Sequence, residues 1–250
     1  MTKRLKPEGT LRTKAEWDAV RKYAQVFESS REPLATRLSN FSKYVRRQDM
    51  TRLLARYEIF KKVLPVKGSI IECGVYHGFG LMAWANFSAI LEPTNLTRRI
   101  YGFDSFAGFP RISDRDRGTR IPARRELAAD SYDELLRLIR IYDENRYLGH
   151  VGKVELIRGD ASKTIPEFVK QHSHLVVSLL FLDFDLYDPT RIAIETFLPR
   201  MPKGAVIAFD ELDNPMWPGE TLALLETVGI NSLHIKRCDF DPYIGYAIME

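Results

Sequence analysis

Between residues 69 and 210, five short apolar runs each lead into a carboxylate: Glu72, Asp104, Asp160, Asp183 and Asp210. The runs are Ser69–Cys73, Ile100–Asp104, Lys153–Ile157, Val176–Asp183 and Ala205–Phe209. They are short, rich in β-branched and aromatic residues, and bounded by glycines or acidic turns, so they read as buried strands. Stretches with helical spacing separate them: Phe79–Leu91, a helix capped by Ser131 with Glu134 three residues on, Ser162–Gln171 and Thr190–Leu198. A helix at 219–228 and two late strands at 232–240 and 243–249 close the chain. Alternation of this kind predicts a Rossmann-like α/β fold. It has a seven-stranded, mostly parallel sheet, helices on both faces and one antiparallel C-terminal strand. Such sheets bind ligands beyond the carboxyl ends of their strands, where strand order reverses. The sheet itself needs no carboxylate there, so the five acidic residues are candidates for a site.

Composition narrows the class. The 250 residues are 45% hydrophobic and 28% charged, which suits one globular core. No apolar run approaches the ~20 residues that cross a bilayer, and the basic start of the chain lacks the apolar stretch of a secretory signal. Cys73 and Cys238 match no zinc spacing and read as reduced thiols of a cytoplasmic protein. Residues 1–50 carry twelve Lys/Arg against six Asp/Glu, so the basic balance belongs to the N-terminal arm. No aromatic residues interleave with it in a nucleic-acid-binding pattern. From Gln48, Met50, Leu53, Leu54, Tyr57, Phe60 and Leu64 form one helical stripe that Pro65 ends. The expected organisation is a basic helical extension over 1–45, a catalytic domain over 46–250, and an Asp/Arg-rich insertion at 105–130. The insertion shows no periodicity and reads as a mobile lid.

The turn after the first strand reads Glu72-Cys73-Gly74-Val75-Tyr76-His77-Gly78-Phe79-Gly80. Gly74 permits a tight turn, and Gly78 or Gly80 a close approach. The spacing is not that of the pyrophosphate-cradling dinucleotide fingerprint. A carboxylate inside the turn would repel a pyrophosphate and attract an ammonium or ribose hydroxyls. That favours a cationic ligand such as S-adenosylmethionine over NAD. Asp104 is placed to accept from the ribose hydroxyls, and Gly159-Asp160 to hold the adenine amino group. Each of these acids has a plainer reading as a cap or turn residue.

Phe181-Leu182-Asp183-Phe184-Asp185 and Phe209-Asp210-Glu211 end the next two strands. Parallel neighbours lie about 4.8 Å apart, so Asp183, Asp210 and Glu211 should converge. An all-oxygen donor set without His or Cys suits Mg²⁺ rather than zinc. Asp185 is the natural general base for a substrate hydroxyl; His77 is its competitor.

These segments resemble the macrocin O-methyltransferase family of class I S-adenosylmethionine-dependent methyltransferases. The resemblance rests on Glu72-Cys73-Gly74-Val75 with Gly78, Gly102-Phe103-Asp104-Ser105-Phe106-Ala107-Gly108-Phe109-Pro110, Asp183-Phe184-Asp185-Leu186-Tyr187 and Asp210-Glu211, and it covers roughly residues 45–250. It implies cofactor contacts at Glu72, Gly74, Tyr76, Asp104, Ser105 and Asp160, with His77, Gly78 and Gly159 beside them. It implies metal ligands at Asp183, Asp210 and Glu211 and a base at Asp185, so Asp183 and Asp185 form the catalytic pair. Ala107 stands where an acidic residue is common, Glu211 where a second aspartate is common, and His77-Gly78-Phe79 where a more basic, glycine-rich turn is usual. The expected reaction is Mg²⁺-dependent O-methylation of a sugar hydroxyl, with a phenolic natural product as the alternative acceptor. An NAD-dependent oxidoreductase and a non-catalytic binding protein are the readings from other classes. The expected partner is a small molecule, neither nucleic acid nor membrane, and a homo-oligomer is left open.

Overall fold

The structure is a computed structural model and describes residues 13–250. The basic leader at 1–12 lies outside the described residues. The chain divides into two compact units, Met1–Leu54 and Ala55–Glu250. In chain order the helices and strands are α1 (Lys14–Ser29), α2 (Leu34–Ser39), α3 (Arg47–Val63), β1 (Ser69–Cys73), α4 (Phe79–Leu91), β2 (Ile100–Asp104), α5 (Tyr132–Glu144) and β3 (Val154–Arg158). They continue with α6 (Ala161–Gln171), β4 (Val177–Leu182), α7 (Tyr187–Phe197), β5 (Val206–Phe209), α8 (Gly219–Thr227), β6 (Lys236–Arg237) and β7 (Gly245–Ile248).

In the first unit, Thr13 and Glu16 start α1 with a reciprocal capping box. The Ser30–Pro33 break separates α1 from α2. Phe27 meets Tyr44 edge-on at 5.0 Å, with the Arg37 guanidinium 4.7 Å above the Phe27 ring.

The second unit carries the sheet, in the order β3-β2-β1-β4-β5-β7-β6. The pairs β3–β2, β2–β1, β1–β4 and β4–β5 are parallel. Strand β7 runs antiparallel to both β5 and β6, so six strands point one way and one the other. Strand order reverses between β1 and β4, and that is where a ligand crevice opens. Cys73 pairs with Phe103 on one side and Leu182 on the other, and Leu182 pairs with Phe209. The next residue on each strand is therefore Asp104, Gly74, Asp183 and Asp210, in one row across four neighbouring strand ends. Every residue of β1, β4 and β5 is buried, as parallel strands covered on both faces require. Trp84 and Phe87 of α4 lie in the core, Trp84 at a ring distance of 5.6 Å from Phe181.

The structure corrects several boundaries. Helix α3 buries Ala55, Arg56, Ile59, Phe60 and Val63, while Leu54 is exposed. The buried stripe is thus rotated from the apolar one, because it includes a buried arginine. Ser131 precedes α5 but makes no side-chain cap; its hydroxyl donates to the Tyr76 carbonyl at 2.6 Å instead. Helix α7 begins at Tyr187 rather than Thr190, since Pro189 fits a first turn. The sixth strand shrinks to Lys236–Arg237.

Tyr142 of α5 donates its hydroxyl to the Ala85 carbonyl at 2.8 Å, and burial pushes its pKa up to about 12. Because the folded pKa exceeds the unfolded one, this group's stabilisation is complete below pH 10 and fades as pH rises toward 12. Tyr142→Phe should cost about 1 kcal/mol in urea unfolding at pH 8. It should also lack that share of the parental alkaline loss. Identical pH–stability curves would refute the assignment.

Candidate active site

Two backbone hydrogen bonds lace the switch point together: Asp183 N donates to the Cys73 carbonyl at 2.7 Å, and Gly74 N to the Phe103 carbonyl at 2.9 Å. Gly74 has φ +96°, and a Cβ there would lie 1.9 Å from the Asp183 carbonyl oxygen. Only glycine permits this approach.

The glycine turn beyond it is ordered from the neighbouring strand. Asp104 Oδ2 accepts from the backbone N–H of Val75 at 2.7 Å and of Tyr76 at 2.8 Å, while Oδ1 accepts from Phe106 at 2.6 Å. Its carboxylate thus shapes both the β1 turn and its own loop. Ser105 closes that loop by donating to the Gly108 carbonyl and accepting from Ala107 N. Tyr76, at φ +51°, and His77 are exposed, their rings 4.1 Å apart. Gly78, at φ +86°, starts α4 against Leu135. Gly159 takes φ +145°, and Asp160 caps α6 by accepting from Ser162 N at 3.0 Å.

Glu72 is buried, 1% exposed. A Cβ on Gly80 would stand 1.9 Å from its Oε1, and its Oε2 has no hydrogen-bond partner. Burial pushes its carboxyl well above the usual range; Arg56 opposes that, while Asp183, Asp104 and Asp210 reinforce it. Arg56 itself is 3% exposed, its guanidinium 4.6 Å from the Phe181 ring centre and 5.5 Å from that of Phe79. Its Nη2 stands 3.6 Å from Asp183 Oδ2. Sequence reasoning missed this cation; the signal was its place four residues before Phe60 on the buried face.

The β4 loop is gripped from several sides. Asp185 is 7% exposed and holds φ +61°, a left-handed conformation rare for a non-glycine residue. Burial first, then Asp183, Glu211 and Asp210, push its carboxyl well above the usual range. Asp185 lies two residues beyond Asp183 on the loop that follows β4, a different loop from that of His77. Asp116, buried in the insertion, accepts from Tyr187 N at 2.6 Å and so caps α7 across 71 positions of sequence. Phe109, Leu186 and Trp217 cluster beside it, and Thr119 N donates to the Pro215 carbonyl at 2.7 Å. The insertion has only one short 3-10 turn, yet it is anchored on both acidic loops. From α8, the fully buried Glu220 reaches the same region. Burial, then Asp183 and Asp185, push its carboxyl well above the usual range. Neither Asp116 nor Glu220 stood out in the sequence: Asp116 lies in a segment without periodicity, and Glu220 reads as an ordinary first-turn acid.

The residues present fit a sulfonium donor through one orphaned buried acceptor, Glu72 Oε2. They fit a hard divalent cation through the chemistry of the rim, where Asp183, Asp210 and Glu211 offer only oxygen. Among the described residues, no group of three or more His, Cys, Asp or Glu side chains is arranged to hold a metal ion. Both cysteines are free and buried, and no described helix is long and apolar enough to cross a membrane.

Residues 71–212 match the methyltransferase domain family. The crystal structure of CalS11, a calicheamicin methyltransferase, superposes with TM-score 0.91 at 31% identity, covering 95% of this chain and 93% of that one. The apo structure of CalS11, described as a TDP-rhamnose 3'-O-methyltransferase, gives TM-score 0.84 at 29% identity over 95% of each chain. The O-methyltransferase NovP shares the fold, with TM-score 0.64 at 20% identity and 79% coverage of both chains. A comparison with curated protein sequences returns no significant match. The nicotinamide reading falls with these findings. The chain belongs to the macrocin O-methyltransferase family of S-adenosylmethionine-dependent methyltransferases.

Proposed function

We propose that this enzyme methylates a hydroxyl of a sugar, carried on a nucleotide or on a natural-product precursor, with Mg²⁺ at the acidic rim. The observation that carries the reading is the in-register row Asp104, Gly74, Asp183 and Asp210, with buried Asp185 beside it. Likeness to CalS11 over nearly the whole chain supports the sugar acceptor.

Asp183, Asp210 and Glu211 would hold the cation, whose chemistry there is to lower the pKa of the acceptor hydroxyl. Gly74, Tyr76, His77 and Gly78 would line the donor, with Asp104 and Ser105 shaping its ribose side. Gly159 and Asp160 would border its adenine, and the unpartnered Oε2 of Glu72 would lie beneath the turn. Asp185 would take the hydroxyl proton as the acceptor oxygen bonds to the methyl carbon. The donor would supply the methyl group, its sulfur keeping the electron pair of the broken carbon–sulfur bond.

The test is a panel of nucleotide sugars and glycosylated or phenolic acceptors, incubated with S-adenosylmethionine and scored by mass spectrometry for one added methyl. Methylated sugars that appear with Mg²⁺ and vanish in chelator are the expected result. Methylated phenols alone would move the acceptor to that class. Full activity in chelator would remove the metal.

A further inference from the structure

The buried carboxylate of Glu220 lies outside the row of strand-end acids, yet it touches both acidic loops. Its Oε1 accepts from Asp185 N at 3.3 Å and its Oε2 from Glu211 N at 3.2 Å. The two amides belong to different strand-to-helix connections, and Glu220 bridges them from the first turn of α8. The helix is brought close by Gly219, where a Cβ would lie 2.5 Å from Tyr187 N and 2.7 Å from the Asp185 carbonyl oxygen. A first-turn glutamate serving only the helix dipole would face water, whereas this one is 0% exposed. Burying a carboxylate is costly unless its oxygens are matched by donors. Here the donors are the main-chain N–H groups of the proposed base and of a proposed metal ligand.

We infer that Glu220 is a positioning residue. Its single carboxylate ties the loop of Asp185 to the loop of Glu211 and so fixes the base relative to the metal side of the rim. This rests on the function proposed above. The left-handed backbone of Asp185 is a strained state that its surroundings must hold. Loss of the tether at its N–H would let the residue relax and swing its carboxylate away.

Glu220→Gln keeps the shape but leaves one acceptor oxygen for two N–H groups. The kcat should fall about 10–100-fold, and the Mg²⁺ concentration for half activity should rise by a similar factor. The KM for S-adenosylmethionine and the calorimetric affinity for S-adenosylhomocysteine should stay parental. Glu220→Asp, charged but too short to span both loops, should resemble Gln rather than the parent. A readout independent of turnover is amide hydrogen exchange, which should accelerate at Asp185 or Glu211 while Val206–Phe209 stays protected. Parental exchange at both amides, or a parental kcat in the Gln variant, would overturn the proposal. So would equal loss of protection across β5, which would mark Glu220 as a fold residue. If the parental protein methylates no sugar, the functional reading fails, and the exchange data still judge the tether.

Discussion

Asp183→Ala is expected to lower kcat by about 10³-fold or more while S-adenosylhomocysteine binding survives. Asp183 follows β4 at the switch point and belongs to the group of carboxylates around Asp185. Under the proposed chemistry, its loss removes one of the oxygens that would hold the cation and thus the means of acidifying the acceptor. The fold should persist because two effects oppose one another. Buried Arg56 loses a carboxylate 3.6 Å from its Nη2, while Glu72, Asp185 and Glu220 each lose a repelling neighbour. The backbone bond from residue 183 to the Cys73 carbonyl needs no side chain. Calorimetry with S-adenosylhomocysteine should therefore give a near-parental affinity, and turnover should no longer respond to Mg²⁺ or chelator. Parental turnover by the Ala variant in chelator would remove the carboxylate rim from the mechanism.

The sheet was legible because each buried strand is a short run of Ile, Val, Leu and Phe closed by a turn residue, and such runs have one packing solution. Strand β1 and helix α4 fall at the residues their pattern predicts. Of the five strand-end acids, Asp104, Asp183 and Asp210 fall in one row, whereas Glu72 lies inside β1 opposite Gly102 and Phe181, and Asp160 lies beyond β3 as the cap of α6. What the sequence hid is long-range. Asp116 lies in a segment without periodicity, and nothing near it in sequence says that it caps Tyr187. Arg56 interrupts an apolar helix face, and periodicity treats any charge there as solvated, so the predicted stripe turned toward Leu54. Ser131 and Glu134 have the spacing of a capping box, but the Tyr76 carbonyl competes for the serine hydroxyl and wins. In each case a tertiary partner, invisible to a local window, decides the outcome. These partners are also what holds the candidate site: Asp116 and Glu220 grip the loop that ends β4, and Asp104 grips the turn after β1.

Gly74→Ala should be a severely damaging single-methyl change in the second unit. The left-handed backbone costs a non-glycine residue about 1–2 kcal/mol, and forced overpacking typically adds about 1–3 kcal/mol. The clash here is with main chain, since the new Cβ would stand 1.9 Å from the Asp183 carbonyl oxygen and 2.7 Å from its carbon. No rotamer change relieves it; β1 and β4 must part. A loss of about 2–5 kcal/mol is a large share of the roughly 5–15 kcal/mol that holds a typical protein. Such a loss should appear as a marked fall in the urea midpoint. Activity should fall further than stability explains, because parting the strands displaces Asp183, and an error near 1 Å costs about 100-fold in rate. Gly152→Ala is the control: it has a β3-proximal position with nothing within 4 Å of the added Cβ, so both stability and kcat should hold. If Gly74→Ala unfolds at the parental urea concentration, the tight β1–β4 junction does not exist in solution. The strand-end row would then lose the geometry that brings donor and carboxylates together.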